Sequence, residues 1–371
     1  MKEVTVCICG GGALGHVLAG VISSKGYKVN LLTNRPSKWS QSVVVEDLKG
    51  RMYEGCLNGI SDDPQEVIPE ANMVILCLPG YLINEMLYKI KFHLSPDTLV
   101  GSVVSSTGFF VSAISHLGDS ARLFGFQRVP FIARVREYGR SAQLLGYKSS
   151  LNIAFLPEKF SARYLPIFEA LFDTPVSALN HVLEATLTNS NPILHPVRLY
   201  RLFSSWKPEV VYPREFLFYE EWDDETSDLL IHCDAEFQKL LAALPSVEVK
   251  IPSLLDYYQS TDKRSLTDKI KSIDAFKSIK VPMKPAEGGY VPDFDNRYFT
   301  EDIPYGLLLI KCIAELADVN TPVMDRVLEW GQSVLNKEYV ENHRISGKDI
   351  EEVSCIDKIV LQKLIGGKCP E

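Results

Sequence analysis

The sequence predicts an α/β domain with a doubly wound parallel sheet over residues 1–178, followed by an all-α domain over 179–371. Three observations carry this. Short β-rich runs alternate with helical patterns in the first half, a glycine-rich loop joins the first strand to the first helix, and from about Leu179 long amphipathic patterns take over. At 371 residues the chain is also long for one hydrophobic core.

In order, Val4–Cys9 reads as a buried strand, Ala13–Lys25 as a helix and Lys28–Thr33 as a second strand. Met73–Leu78 and Leu99–Val104 are further β-rich runs, each followed by a helical candidate. Ala121–Phe126 and a hairpin-like stretch, Gln143–Phe155, continue the sheet, and Glu158–Phe172 closes the domain as a helix. The second half offers helices at Ser227–Leu244, Ser265–Lys277, Pro304–Ala317 and Pro322–Asn336, the last with a Thr321-Pro322 start. Pro282 to Asp295, rich in Pro and Gly, is its longest non-helical stretch.

Composition excludes several function classes. Hydrophobic residues at 46% and charged residues at 23% are ordinary for a globular protein. A net charge of −8 argues against nucleic acid or an anionic membrane as partner, so an anionic ligand needs local positive charge. The eight cysteines form no Cys-x-x-Cys pair and no zinc-ligand spacing, which points to a reducing cytoplasm and no structural metal. No signal peptide is read at the N-terminus, and the best apolar run, Ile303 to Ala317, is interrupted by Pro304 and Lys311.

Gly10-Gly11-Gly12-Ala13-Leu14-Gly15 matches G-x-G-x-x-G directly after a strand and opening a helix. Glycines there allow the tight turn, the approach of a diphosphate to the backbone and close helix–strand packing; the helix N-terminus adds N–H donors. The dinucleotide is selected at the end of the second strand. NAD enzymes usually place a carboxylate there. This strand ends Leu32-Thr33-Asn34-Arg35, with Ser37 and Lys38 following, so two cations face a 2′-phosphate and NADP is favoured, with NAD the alternative. Pro79, at the end of the fourth strand, is a candidate contact to the nicotinamide half.

Histidine suits proton transfer near neutral pH and needs a carboxylate to fix its tautomer. Of seven histidines, His195 stands apart: Asn191-Pro192 starts a helix that Pro196 is expected to disturb, turning the imidazole to a cavity. The partner segment is Arg297-Tyr-Phe-Thr-Glu301-Asp302-Ile-Pro304. One of its acids is explained as a helix-start acid; two beside Arg297 are not.

The sequence resembles the octopine/nopaline (opine) dehydrogenase family in the glycine loop, Gln127-Arg-Val-Pro130-Phe-Ile-Ala-Arg134 with Tyr138-Gly139, Asn191-Pro-x-x-His195-Pro, Phe218-Tyr219-Glu220 and Arg297-x-x-x-Glu-Asp302-Ile-Pro304. The resemblance implies a Rossmann domain followed by a helical domain, the 6-phosphogluconate-dehydrogenase-like plan. It further implies reductive condensation of an amino acid with a 2-oxo acid through an imine, using NAD(P)H. By position His195 is the acid/base group and Asp302 its partner, Arg297 and Asn191 bind substrate, and Arg134 lies near the cofactor–substrate junction. The cofactor contacts expected from the glycine loop and the strand ends are Gly10, Gly12, Ala13, Leu14, Gly15, Asn34, Arg35 and Pro79. The partners expected are these small molecules, with no nucleic acid and no membrane; a homodimer is admissible. The alternatives are a ketopantoate-reductase-like 2-oxo acid reductase, which usually relies on a lysine in the helical domain, and a non-catalytic dinucleotide-binding protein.

Overall fold

The computed structural model describes residues 4–244 and 248–366. The start of the chain, where the signal-peptide expectation falls, and Cys369 lie partly or wholly outside the described residues. The chain divides into two compact units between Asn189 and Ser190.

In the first unit the strands are β1 (Thr5–Cys9), β2 (Lys28–Leu32), β3 (Ser42–Asp47), β4 (Met52–Cys56), β5 (Gly59–Ser61), β6 (Met73–Leu76), β7 (Leu99–Ser102), β8 (Arg122–Phe126), β9 (Phe131–Glu137), β10 (Ser141–Tyr147), β11 (Leu151–Leu156) and β12 (Val176–Ala178). The helices are α1 (Ala13–Ser24), α2 (Pro64–Val67), α3 (Gly80–Ile90), α4 (Phe109–Leu117), α5 (Ser161–Phe172) and α6 (Val182–Leu187). The main sheet has the order β12-β11-β8-β7-β6-β1-β2-β5. It is parallel from β8 to β5, and β11 joins β8 antiparallel. Thr5–Cys9 is buried along its whole length and apolar from Val6 onward because both faces are covered.

A second, four-stranded sheet, β4-β3-β10-β9, corrects the sequence expectation at Gln143–Phe155. That stretch is no hairpin: β10 pairs with β9 and β3, while β11 pairs with β8 and β12 in the main sheet. The extra sheet explains why α1 is buried from Gly15 to Ser23 on every side. A Cβ on Gly20 would stand 2.6 Å from the Val45 side chain, and one on Gly55 would overlap the Ser23 hydroxyl. Bare backbone is what lets α1 lie against β3 and β4.

The second unit is built on α7 (Asn191–Phe203), α8 (Asp224–Ala243), α9 (Leu254–Tyr257), α10 (Lys263–Ser272), α11 (Arg297–Thr300), α12 (Leu308–Leu316), α13 (Pro322–Val334) and α14 (Lys358–Leu364). Two short hairpins interrupt the expected helical character, one within the Pro282 to Asp295 stretch at Met283–Ala286 and Gly289–Pro292. The apolar run around Lys311 forms a short π-helical stretch, Ile303–Leu307, followed by the nine-residue α12. Lys311 is buried and paired with Asp325 at 2.7 Å, with Thr321 as a further partner. A buried charge is tolerated only with such partners. Among the described residues no helix is long and apolar enough to cross a membrane.

Candidate active site

In the first unit the glycine loop has the geometry its sequence calls for. Gly10 has φ 121°, and a Cβ there would lie 2.7 Å from the Cys77 carbonyl. A Cβ on Gly15 would collide with the Gly10 carbonyl, so Gly15 sets the close crossing of helix and strand. Gly12 differs: a Cβ there would meet nothing within 4 Å. It heads α1 with no side-chain cap, so the first N–H groups of the helix, beginning at Ala13 and Leu14, face an open cradle. That combination fits a diphosphate.

At the end of β2 the side chains of Asn34, Arg35, Ser37 and Lys38 are exposed. The Arg35 guanidinium lies 5.9 Å from the centre of the Tyr138 ring. Around Gly11 gather the Thr33 hydroxyl, the Tyr138 hydroxyl and Trp39 Nε1, and the Trp39 N–H is buried with no hydrogen-bond partner. Pro79 precedes α3 as its N-cap and is half-buried.

His16 fastens this loop. Its Nε2 accepts from the Gly139 N–H at 2.7 Å, so Nδ1–H donates to the Gly12 carbonyl at 2.8 Å, and the ring packs 4.0 Å from that of Trp39. Burial holds its pKa below the ordinary 6.5, against the Gly12 hydrogen bond. A group with a lowered folded pKa binds protons more readily when unfolded. Its stabilisation is therefore complete above about pH 6.5 and is lost as pH falls through the folded value. His16→Ala is expected to cost about 1–3 kcal/mol by leaving the buried Gly139 N–H unpaired, while the Gly12 carbonyl keeps the residue-16 backbone N–H. Urea denaturation should show this cost near neutral pH and a smaller one in mild acid, where the native histidine no longer contributes.

In the second unit, α7 carries His195. The expectation that Pro196 disturbs this helix is corrected: α7 runs through Pro196 to Phe203, with residues Pro192 to Leu199 buried. A proline in the sixth helical position lacks only the N–H that would have bonded the Pro192 carbonyl. What faces Pro192 is the segment Ile303–Leu307, one π-helical stretch, in which a Cβ on Gly306 would stand 2.7 Å from the Pro192 side chain. The π geometry is closed by the Leu307 N–H to the Asp302 carbonyl at 2.9 Å.

This brings the expected pair together. His195 Nδ1–H donates to Asp302 Oδ2 at 2.8 Å across 107 positions of sequence, and the imidazole is only 4% exposed. Asp302 makes no capping bond to its own helix. The second acid, Glu301, is taken by Arg297, whose Nε and Nη2 donate to Glu301 Oε2 at 2.8 and 2.6 Å. So neither acid is a mere helix-start charge. Arg297 is itself open to solvent, its side chain 71% exposed while that of Glu301 is 5% exposed. Asn191, half-buried, begins α7 four residues before His195; Asn189, its competitor in sequence, belongs to the first unit and donates to Ser106 at 3.3 Å. Arg134 is exposed on β9 of the first unit.

Four residues of the site were not singled out for a role by sequence. Tyr298 stacks on the His195 ring at 4.2 Å, and the Tyr219 hydroxyl lies 3.1 Å from His195 Nε2. Burial pushes the hydroxyls of both tyrosines above their ordinary pKa, so both are neutral phenols across the physiological range. Arg198, one turn after His195, is buried and holds the Phe218 and Glu221 carbonyls. Glu301 is the fourth, as the partner of Arg297. Tyr298 and Glu301 lie inside the Arg297–Asp302 motif, and their spacing was the available signal.

Residues 178–335 match the family described as NAD/NADP octopine/nopaline dehydrogenase, alpha-helical domain. Octopine dehydrogenase of Pecten maximus is 30% identical, with 95% of each chain aligned. Tauropine dehydrogenase of Arabella iricolor is 28% identical over 94% of this chain and 95% of its own. Among solved structures, octopine dehydrogenase with NADH and L-arginine superposes with a TM-score of 0.88 at 27% identity, covering 99% of both chains.

Proposed function

We infer the activity from one premise: the chain belongs to the octopine/nopaline (opine) dehydrogenase family. It is an NAD(P)H-dependent oxidoreductase that condenses the amine of an amino acid with a 2-oxo acid and reduces the resulting imine. Condensation expels the oxo oxygen as water, and reduction places a hydride on the former carbonyl carbon, so each turnover consumes one hydride and one proton. The single observation that carries the site assignment is the buried 2.8 Å contact between His195 and Asp302, with Arg297 on the same short segment as Asp302.

Each residue's part follows from its chemistry. Asp302 accepts the Nδ1–H of His195, which leaves Nε2 as the proton-exchanging atom and supports the imidazolium when it forms. The Arg297 fork matches a substrate carboxylate, and Glu301 fixes the edge of that fork. Asn191 adds an amide at the start of α7, and Arg134, exposed on β9, would contact substrate near its junction with the dinucleotide. The first unit, through Gly10, Gly12, Ala13, Leu14 and Gly15, would hold the dinucleotide, with Pro79 on its nicotinamide side. When bound, the dinucleotide supplies the hydride.

The preferred dinucleotide is NADP. Support comes from the end of β2, where no carboxylate follows Leu32, and from the exposed Arg35 and Lys38 beside Asn34. Arg35→Ala is expected to raise the KM for NADPH about tenfold or more, the worth of a charge-assisted phosphate contact, while leaving that for NADH within about twofold. Equal use of both dinucleotides by the native protein, with no change in Arg35→Ala, would overturn the preference.

The activity is tested by a matrix of amino acids against 2-oxo acids, following NADPH and NADH oxidation in parallel. L-arginine with pyruvate is a sound first pair, given the arginine and pyruvate complexes of the solved relative. Oxidation that depends on both substrates supports the assignment; oxidation at the same rate with 2-oxo acids alone refutes it.

A further inference from the structure

Both ring nitrogens of His195 are engaged. Nδ1 is held by Asp302 at 2.8 Å, and Nε2, the nitrogen left for chemistry, meets the Tyr219 hydroxyl at 3.1 Å. A phenol at that place serves either state of the ring. It donates to a neutral Nε2, and it accepts from Nε2–H when the imidazole is charged.

The surroundings are built to keep the hydroxyl there. The Tyr219 ring lies flat against Phe276 at 4.0 Å, with the Trp222 ring parallel on it at 6.2 Å. Arg198 brackets the residue from both sides, donating Nε to the Phe218 carbonyl at 3.1 Å and Nη2 to the Glu221 carbonyl at 2.7 Å. Its guanidinium is so well buried that its pKa falls to about 10. His195 and Arg198 are three residues apart on α7, so one rigid helix carries both the imidazole and the clamp that positions its phenol partner.

We propose that Tyr219 is the terminal proton donor of an Asp302–His195–Tyr219 chain. The proposal rests on His195 as the acid/base group of the reductive condensation. As the amine nitrogen bonds to the carbonyl carbon, the carbonyl π pair moves to oxygen and takes the Tyr219 hydroxyl proton. In the same step the Nε2–H proton of the imidazolium passes to the phenol oxygen. One O–H bond breaks and is remade, one N–H bond breaks, and one O–H bond forms on the substrate. Tyr219 ends unchanged, and His195 ends neutral with its Nδ1–H still on Asp302. The high pKa that burial gives the phenol agrees with this order, because a lone phenol would be a weak acid and needs the imidazolium behind it.

Tyr219→Phe removes the hydroxyl and keeps the stacked ring. Single-turnover rates of NADPH oxidation in mixtures of light and heavy water count the protons in flight. The native protein should give a curved dependence on deuterium fraction, from two moving protons. Tyr219→Phe should give a straight line and a rate about 10- to 100-fold lower, with NADPH affinity unchanged. Difluorotyrosine at 219 keeps both the stacked ring and the hydroxyl, so it should restore the curved dependence and most of the rate lost in Tyr219→Phe. A side chain that is only structural would be indifferent to the hydroxyl, and the two variants would behave alike. Full activity in Tyr219→Phe with a straight native plot, or a straight plot with difluorotyrosine, would overturn the relay. His195→Ala separates the two levels: if it is inactive while Tyr219→Phe is fully active, only the relay falls. If His195→Ala retains native activity, the acid/base assignment falls as well.

Discussion

His195→Ala and Asp302→Asn are each expected to lower turnover by about 10²–10⁴, the usual worth of a positioned acid/base group. The two effects should not add. Asp302 acts through the imidazole, holding its Nδ1–H at 2.8 Å, so removing the carboxylate matters little once the ring is gone. The double variant should therefore be no slower than the poorer single one. NADPH affinity, measured by its fluorescence, should be unchanged in all three, since the glycine loop belongs to the first unit. Losses that multiply would mean two independent roles and would break the dyad. Asp302→Asn should also be less stable, because an amide oxygen is a weaker acceptor than a carboxylate for the buried Nδ1–H of His195.

Arg297→Gln is expected to lower kcat/KM for the 2-oxo acid by about 30- to 700-fold, the equivalent of roughly 2–4 kcal/mol for a charge-assisted carboxylate contact. Most of the effect should fall on KM. The side chain is 71% exposed, which leaves it within reach of a carboxylate from solvent, and Glu301 holds its Nε and Nη2 edge. Arg297→Lys should recover only part of the loss, since an ammonium restores the charge and not the planar fork. Glu301→Gln should cost several-fold at most, by loosening the fork. If Arg297→Lys behaves as the native protein, the clamp is not bidentate; if Arg297→Gln does, Arg297 is not the clamp.

How far the sequence reached depended on the physics behind each element. The glycine loop was legible because its backbone demands are local: Gly10 needs positive φ and Gly15 needs to lack a Cβ. The His195–Asp302 contact was legible as a chemical pairing, although no periodicity places residues 107 positions apart in contact. The second sheet has no such local signature. Ser42–Asp47 is β-rich, yet an alternating strand–helix pattern directs attention to the main sheet, and only a covering layer explains why α1 is buried all round. The false hairpin at Gln143–Phe155 has the same origin, because β10 and β11 are neighbours in sequence and members of different sheets. Pro196 does not break its helix, since its missing N–H comes early in a helix whose packing is supplied by the Pro192–Gly306 approach. Tyr219 lay beyond sequence reasoning: its value comes from the position that Arg198 imposes, and nothing in Phe218-Tyr219-Glu220 announces that clamp.

The central claim is reductive condensation, and the label on the product tests it most directly. The purified protein is incubated with a 2-oxo acid, an amino acid and NADPH deuterated at the transferable position, and the products are weighed by mass spectrometry. The expected product is a secondary amine joining both substrates, with one deuterium on the former carbonyl carbon. A deuterated 2-hydroxy acid, with the amino acid untouched, would contradict the account.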